Sequence, residues 1–157
     1  MDYDLIESMK QKLEVLNLFI SNINNEFSNA IQQNSDWLLS LVKDQLAEGI
    51  KGDGTPQVTL TKDGFSTLYS ANTVLRKIEK GQETDFITNK DTGALIDGLY
   101  VLVNGLDYEL ISNSPSFLLR QQNAAPDWLE PTKENQNTFE QYVVDYMLEQ
   151  IQEILLK

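Results

Sequence analysis

The stretch Leu99–Ile111 reads LYVLVNGLDYELI, and it decides the fold. Asn104-Gly105 stands between two runs of alternating apolar residues, the strongest short-range cue for a β-hairpin with a two-residue loop. Centring the loop on Asn104-Gly105 pairs Val103 with Leu106, Val101 with Tyr108 and Leu99 with Leu110. These six share an apolar face, while Tyr100, Leu102, Asp107 and Glu109 fall on the other, mixed face. A lone hairpin is not stable in water. It has to lie on helices or join strands of another chain.

Immediately upstream, Ile87–Gly98 reads ITNKDTGALIDG. Asp91-Thr92-Gly93 invites an aspartic-protease reading. That chemistry needs two carboxylates sharing a proton, and the chain has no second Asp-Thr-Gly or Asp-Ser-Gly. The geometric reading is stronger. Thr92 or Asp91 caps the short turn Ala94-Leu95-Ile96, and Gly93 permits a close or unusual backbone path into the hairpin.

Toward both ends, helical periodicity dominates. Residues 3–32 predict a long helix with Leu13, Leu16, Ile20, Ile23, Phe27 and Ile31 on one core-facing stripe. Asn34-Ser35-Asp36 is a helix-start signal, and Trp37, Leu38, Leu41, Val42 and Leu46 continue a helical face. Residues 48–57, EGIKGDGTPQ, predict an exposed loop. Gly52-Asp53-Gly54 lacks the carboxylate spacing and closing Glu of a calcium loop. Val58 and Leu60 predict a short extended piece with a turn at Asp63-Gly64. Residues 71–80 predict a short helix stopped by Gly81. Pro115, Pro126 and Pro131 mark 113–131 as a long connection whose middle, SFLLRQQ, forms a helical turn. Residues 138–156 predict an amphipathic helix with Phe139, Tyr142, Val143, Tyr146, Met147, Ile151, Ile154 and Leu155 on its stripe. Thr138 with Gln141 reads as its capping box.

The expected fold is therefore α+β: a long N-terminal helix, a small antiparallel sheet with a hairpin at about 99–111, and a C-terminal amphipathic helix. The 157 residues suit a single domain, helical over 1–48, mixed β with loops over 49–126, and closed by the helix of 127–157.

Composition narrows the function. With 24 acids against 12 bases the net charge is −12, which opposes sequence-independent binding to phosphate backbones. The acids concentrate at the two helical ends, and the middle is near balance. There are no cysteines, so disulfides, thiolate nucleophiles and Cys-ligated metals are excluded. There are no histidines, which removes the usual general base and every Ser-His-Asp or Cys-His arrangement. Met1-Asp2-Tyr3-Asp4 lacks the basic start of a signal peptide, and no apolar run approaches the ~20 residues of a bilayer span.

Arg76, Lys77 and Lys80 form the one local basic cluster, either a solvated face paired with Glu79 or Glu83 or a contact for an acidic partner. Asp53, Asp63, Asp91 and Asp97 match no metal-ligand spacing. No catalytic residue, metal or cofactor site is assigned, and the expected protein is not an enzyme.

The middle region resembles the tailed-phage virion-morphogenesis and tail-completion proteins of the Mu type. The segments LYSANTVLRKIEKGQ and ITNKDTGALIDGLYVLVNGLDYELIS carry the resemblance, with Thr73, Lys77, Thr92, Gly93 and Leu95 at the family's positions. Pro126, Trp128 and Leu129 echo the segment before that family's final helix. Glu130 stands where glycine is usual, and the family's histidine-containing segment after the hairpin is missing. The resemblance covers residues 66–150 and implies a structural part of the neck or tail. Such a part forms a ring, hexamer or dodecamer, with connector, stopper, tail-terminator or tail-tube proteins as partners. Genomic DNA passes through it without sequence-specific binding, and no membrane is involved. The expected location is the virion, after assembly in the host bacterial cytoplasm. The expected partner contacts are Arg76, Lys77, Lys80, Thr92, Gly93, Tyr100 and Leu102. Two rival readings stand beside this one: an acidic inhibitor that imitates DNA, and a carboxylate-dependent metal enzyme.

Overall fold

The structure is a computed structural model that describes residues 3–60, 66–89, 92–124 and 127–156. It is α+β. The element order is α1 (Tyr3–Ser21), α2 (Ile23–Gln33), α3 (Ser35–Ala47), β1 (Thr59–Leu60), β2 (Ser66–Thr67), α4 (Ala71–Glu79), α5 (Ala94–Asp97), β3 (Leu99–Asn104), β4 (Asp107–Ser112), α6 (Ser116–Asn123) and α7 (Lys133–Leu156).

The hairpin β3–β4 forms with its apolar face as expected, but its register differs by two residues. Val103 lies opposite Tyr108, Val101 opposite Leu110 and Leu99 opposite Ser112, so Asn104 and Asp107 close the ladder. The loop is Gly105-Leu106, not Asn104-Gly105. Gly105 has φ +64° and Leu106 does not share the left-handed region, so a single left-handed residue at the first loop position makes the turn. A shift of two preserves side-chain parity, so the faces survive. Leu106 alone is lost from the apolar face and stands exposed at the tip.

Leu99, Val101 and Leu110 pack with Leu38, Val42 and Leu46 of α3 and with Phe139, Val143 and Met147 of α7. Trp128 and Leu129 close this cluster from the segment before α7. Tyr108 meets Phe139 edge-on at 5.6 Å between ring centres, and Trp37 lies 6.0 Å from Phe139 and 4.8 Å from Tyr142. The hairpin thus lies on helices. Among the described residues no further strand pairs with its margins, because the sheet has two strands only.

The helical run of 3–32 breaks at Asn22, whose side-chain amide donates to Leu18 O at 3.0 Å. Asn34 marks the α2–α3 junction, but it does not cap α3. Its side chain turns back to donate to Ala30 O at 2.7 Å. The closing helix begins at Lys133, five residues before the expected start. Its cap is Thr132, whose Oγ1 accepts from Asn135 N at 3.2 Å, while Thr138 lies inside the helix and donates to Glu134 O. The expected stop of α4 is present: Gly81 N donates to Ile78 O and Gln82 N to Lys77 O, closing the helix with paired bonds. The segment 116–123 is a full helix rather than one turn. The turn expected at Asp63-Gly64 and the residues Asp91 and Pro126 lie outside the described residues.

The loop 48–57 is less exposed than its composition predicts. Gln57 is buried, donating to Ile50 O at 3.0 Å and Trp128 O at 3.3 Å. Gln45 of α3 plays the same part, donating to Glu130 O and accepting from Thr132 N, each at 2.8 Å. Two buried amides therefore tie the loop and the segment 128–132 to the core, satisfying backbone groups that would otherwise be stranded.

Candidate functional site

Two features stand apart from ordinary packing. One is a cavity of about 410 Å³ bounded by α4, α6 and residues 87–89 and 92–95. The other is an apolar surface on α1 and the C-terminal half of α7.

The cavity starts from a reversal in α4. Ser70 caps this helix, its Oγ accepting from Thr73 N at 3.3 Å. Thr73 and Lys77, four residues apart, share a face. Both line the cavity, and Lys77 is 6% exposed. Leu75 and Ile78 point outward at 60% and 62%. An amphipathic helix normally does the opposite. The Lys77 ammonium rests 4.9 Å from the centre of the Tyr69 ring, a cation–π contact. Its charge also reaches Glu83, whose carboxyl is held below its ordinary value mainly by the N–H groups of Asp85 and Thr84.

Across the cavity stands Arg120 of α6. Its guanidinium donates to Gln57 Oε1 at 3.0 Å and to Thr59 Oγ1 at 3.5 Å, and lies 5.4 Å from the Trp128 ring. These partners are all neutral, and its buried Nε has none. Burial lowers its pKa to about 10. Arg76 lines the same cavity, while its Nε donates to Asn72 O. Among the described residues no carboxylate lines it.

The corner at 92–98 completes the wall. Thr92 Oγ1 accepts from Ala94 N at 3.3 Å, but the N-cap position of the turn is Gly93 rather than the expected Thr92 or Asp91. Gly93 has φ +89°, a conformation that L side chains rarely adopt. Thr92-Gly93 therefore begins a turn, α5, that leads straight into β3.

Of the seven expected contact residues, the structure gathers Arg76, Lys77, Thr92 and Gly93 around this cavity. Lys80 lies exposed just past α4 and does not line it. Tyr100 and Leu102 are exposed on the outer hairpin face, at 43% and 49%. Sequence reasoning missed Arg120, Tyr69 and Asn89. One signal was available: Arg120 is the lone base between Lys90 and Lys133, set in the apolar run Phe117-Leu118-Leu119.

The second feature contradicts an expectation. The stripe on the first helix was expected to be core throughout, yet Leu13 and Ile20 are 58% and 57% exposed; only Ile31 is fully buried. Ile6, Met9, Leu13, Leu16 and Ile20 step by three and four, the spacing of a helix–helix seam. On α7, Val144, Leu148, Ile151 and Leu155 repeat the same spacing beside the buried stripe of Phe139, Val143 and Met147. Lys12 Nζ donates to Leu155 O at 2.9 Å and Tyr146 Oη to Gln33 at 2.6 Å, so the two segments run in opposite directions. From each helix's line of contact with the other, the open stripe lies roughly a quarter turn further on. With the helices opposed, those rotations converge on one side of the pair. A groove between the two helices is of mixed character, lined by Ser8, Gln11, Glu26 and Glu153 together with Val15, Phe19 and Ile154.

No family model matches the chain, and comparisons with curated proteins and with solved structures find no match either. Among the described residues no helix is long and apolar enough to cross a membrane.

Proposed function

We propose that this chain is a structural, non-catalytic part of a tailed-phage virion, a tail-completion or head–tail joining protein that assembles as a ring around the DNA channel. The observation that carries the self-assembling part is the open apolar side of the α1–α7 pair. Monomers rarely expose a contiguous apolar patch of more than a few hundred Å² without using it. Leu5, Ile6, Met9, Leu13, Ile20, Val144, Leu148 and Leu155 are all 37–63% exposed. Their open surface is on the order of 700 Å² per copy, close to the ~800 Å² that each partner brings to a standard interface. The hairpin adds Tyr100 and Leu102 and two margins that no strand among the described residues pairs with. A ring uses such surfaces in head-to-tail contacts that close. The virion setting rests on the resemblance of residues 66–150. The acidic surface suits a wall along which DNA slides without being held.

The test is light scattering after size exclusion, on the chain alone and mixed with tail-tube or connector proteins. A closed oligomer, or capture into one by a mixture partner, is the expected result. A chain that stays monomeric in every mixture contradicts the reading.

A further inference from the structure

We propose that the cavity between α4 and α6 is a binding site for a carboxylate presented on an acidic, apolar-flanked segment of a partner protein chain, with Arg120 as its anchor. This stands independently of the virion reading.

The charge around the cavity is unbalanced. A buried cation costs free energy unless an anion or a full set of acceptors compensates it. Arg120 has two neutral acceptors and a ring, and its Nε has no partner. Buried donors in folded proteins are nearly always satisfied, and the buried Nε of this cavity-lining arginine is not. Lys77 lies in the same wall, carried inward by a helix that exposes Leu75 and Ile78 instead. Arg76 adds a third positive charge. Acids outnumber bases two to one in this chain, 24 to 12, yet three of the bases meet here and no described carboxylate lines the site.

The lining of the cavity selects the ligand. The guanidinium fork matches a carboxylate in two parallel hydrogen bonds. Ile87, Leu95 and Leu119 line the same cavity, so the anion's neighbour should be apolar. A volume of about 410 Å³ lies in the range of small-ligand pockets and takes one or two side chains, not a helix. Phosphate is less suited: the chain lacks the spaced glycines of a phosphate loop. A net charge of −12 opposes polyphosphates such as nucleic acid.

The experiment is fluorescence anisotropy of a labelled peptide of alternating Glu and Leu, titrated with the full chain at fixed ionic strength. The expected result is saturable binding that weakens about tenfold or more in Arg120→Gln. Arg76→Gln, at an exposed position, should weaken it about threefold, and a peptide with Gln for Glu should not bind. Circular dichroism accompanies each variant. If Arg120→Gln does not fold, Arg76→Gln and Lys77→Met carry the same criterion. Absence of saturable binding, equal binding by the variants, or equal binding of the Gln peptide overturns the proposal. Inorganic phosphate that displaces the peptide at matched concentration overturns the choice of a carboxylate.

Discussion

The body around the hairpin and the α1–α7 arm use the same sequence signal to opposite ends. In the body, apolar residues at helical spacing on α3 and α7 meet Leu99, Val101 and Leu110 and vanish from solvent. In the arm, Met9, Leu13 and Ile20 keep that spacing and stay mostly exposed. The difference teaches that periodicity specifies a face, while the fold decides whether that face is covered; for the arm we propose that other chains cover it. A helical stripe that stays open looks like core in the sequence and is exposed in the structure.

The sharpest way to break this comparison is to truncate one residue in each region. Phe139→Ala leaves a cavity under Trp37 and Tyr108 and should cost ~3–5 kcal/mol in urea unfolding. A smaller loss would mean that the hairpin does not depend on α7. Next in size is Gln57→Leu. It removes an acceptor shared by Arg120 and Asn89, and donors to two carbonyls. We expect a loss of about 1–3 kcal/mol, with no change in the slope of the urea transition. In the arm, Leu13→Ser should change monomer stability by less than about 0.5 kcal/mol. A large loss there would show that the stripe is packed after all.

The smallest expected effect is a pH effect at the rim of the body. Lys51 joins Asp53 and Asp127, while Thr55 N and Oγ1 donate to Asp53 Oδ1. The Lys51 hydrogen bond, then those of Thr55, lower the Asp53 pKa from 3.8 to about 2. A depressed carboxylate stabilises the fold above its ordinary value, and that stabilisation fades as pH falls from about 4 toward 2. Because Asp53 is exposed, the effect should be small and shrink with salt. Thermal melts of Asp53→Asn should show a slightly lower Tm than wild type at neutral pH and a flatter acid limb, the two converging near pH 2. A Tm drop at neutral pH equal to that of Gln57→Leu would contradict this.

The faces of the hairpin were legible because side-chain parity depends on alternation alone. The register was not, because Asn104-Gly105 and Gly105-Leu106 both offer a glycine and only the strand pairing chooses between them. The start of α7 was misread for a similar reason. Thr138 with Gln141 makes the better capping box in sequence, and the docking of Thr132 N on Gln45 overrides it. The corner at Thr92-Gly93 and the stop at Gly81 were readable, since each depends on its own backbone. Half of the cationic cavity was readable as a local cluster on α4. Arg120 was not, because it arrives from 43 residues beyond Lys77, and only tertiary packing brings it there.

The central claim is that the open side of the arm is an assembly surface. Sedimentation velocity of wild type and of Leu13→Ser/Leu148→Ser, alone and with tail-tube or connector protein, tests it directly. The account predicts that wild type reaches a closed oligomer in at least one of these conditions, while the variant stays monomeric and folded, with the far-UV circular dichroism of wild type. A wild type that remains monomeric throughout, or a variant that assembles equally well, would contradict it.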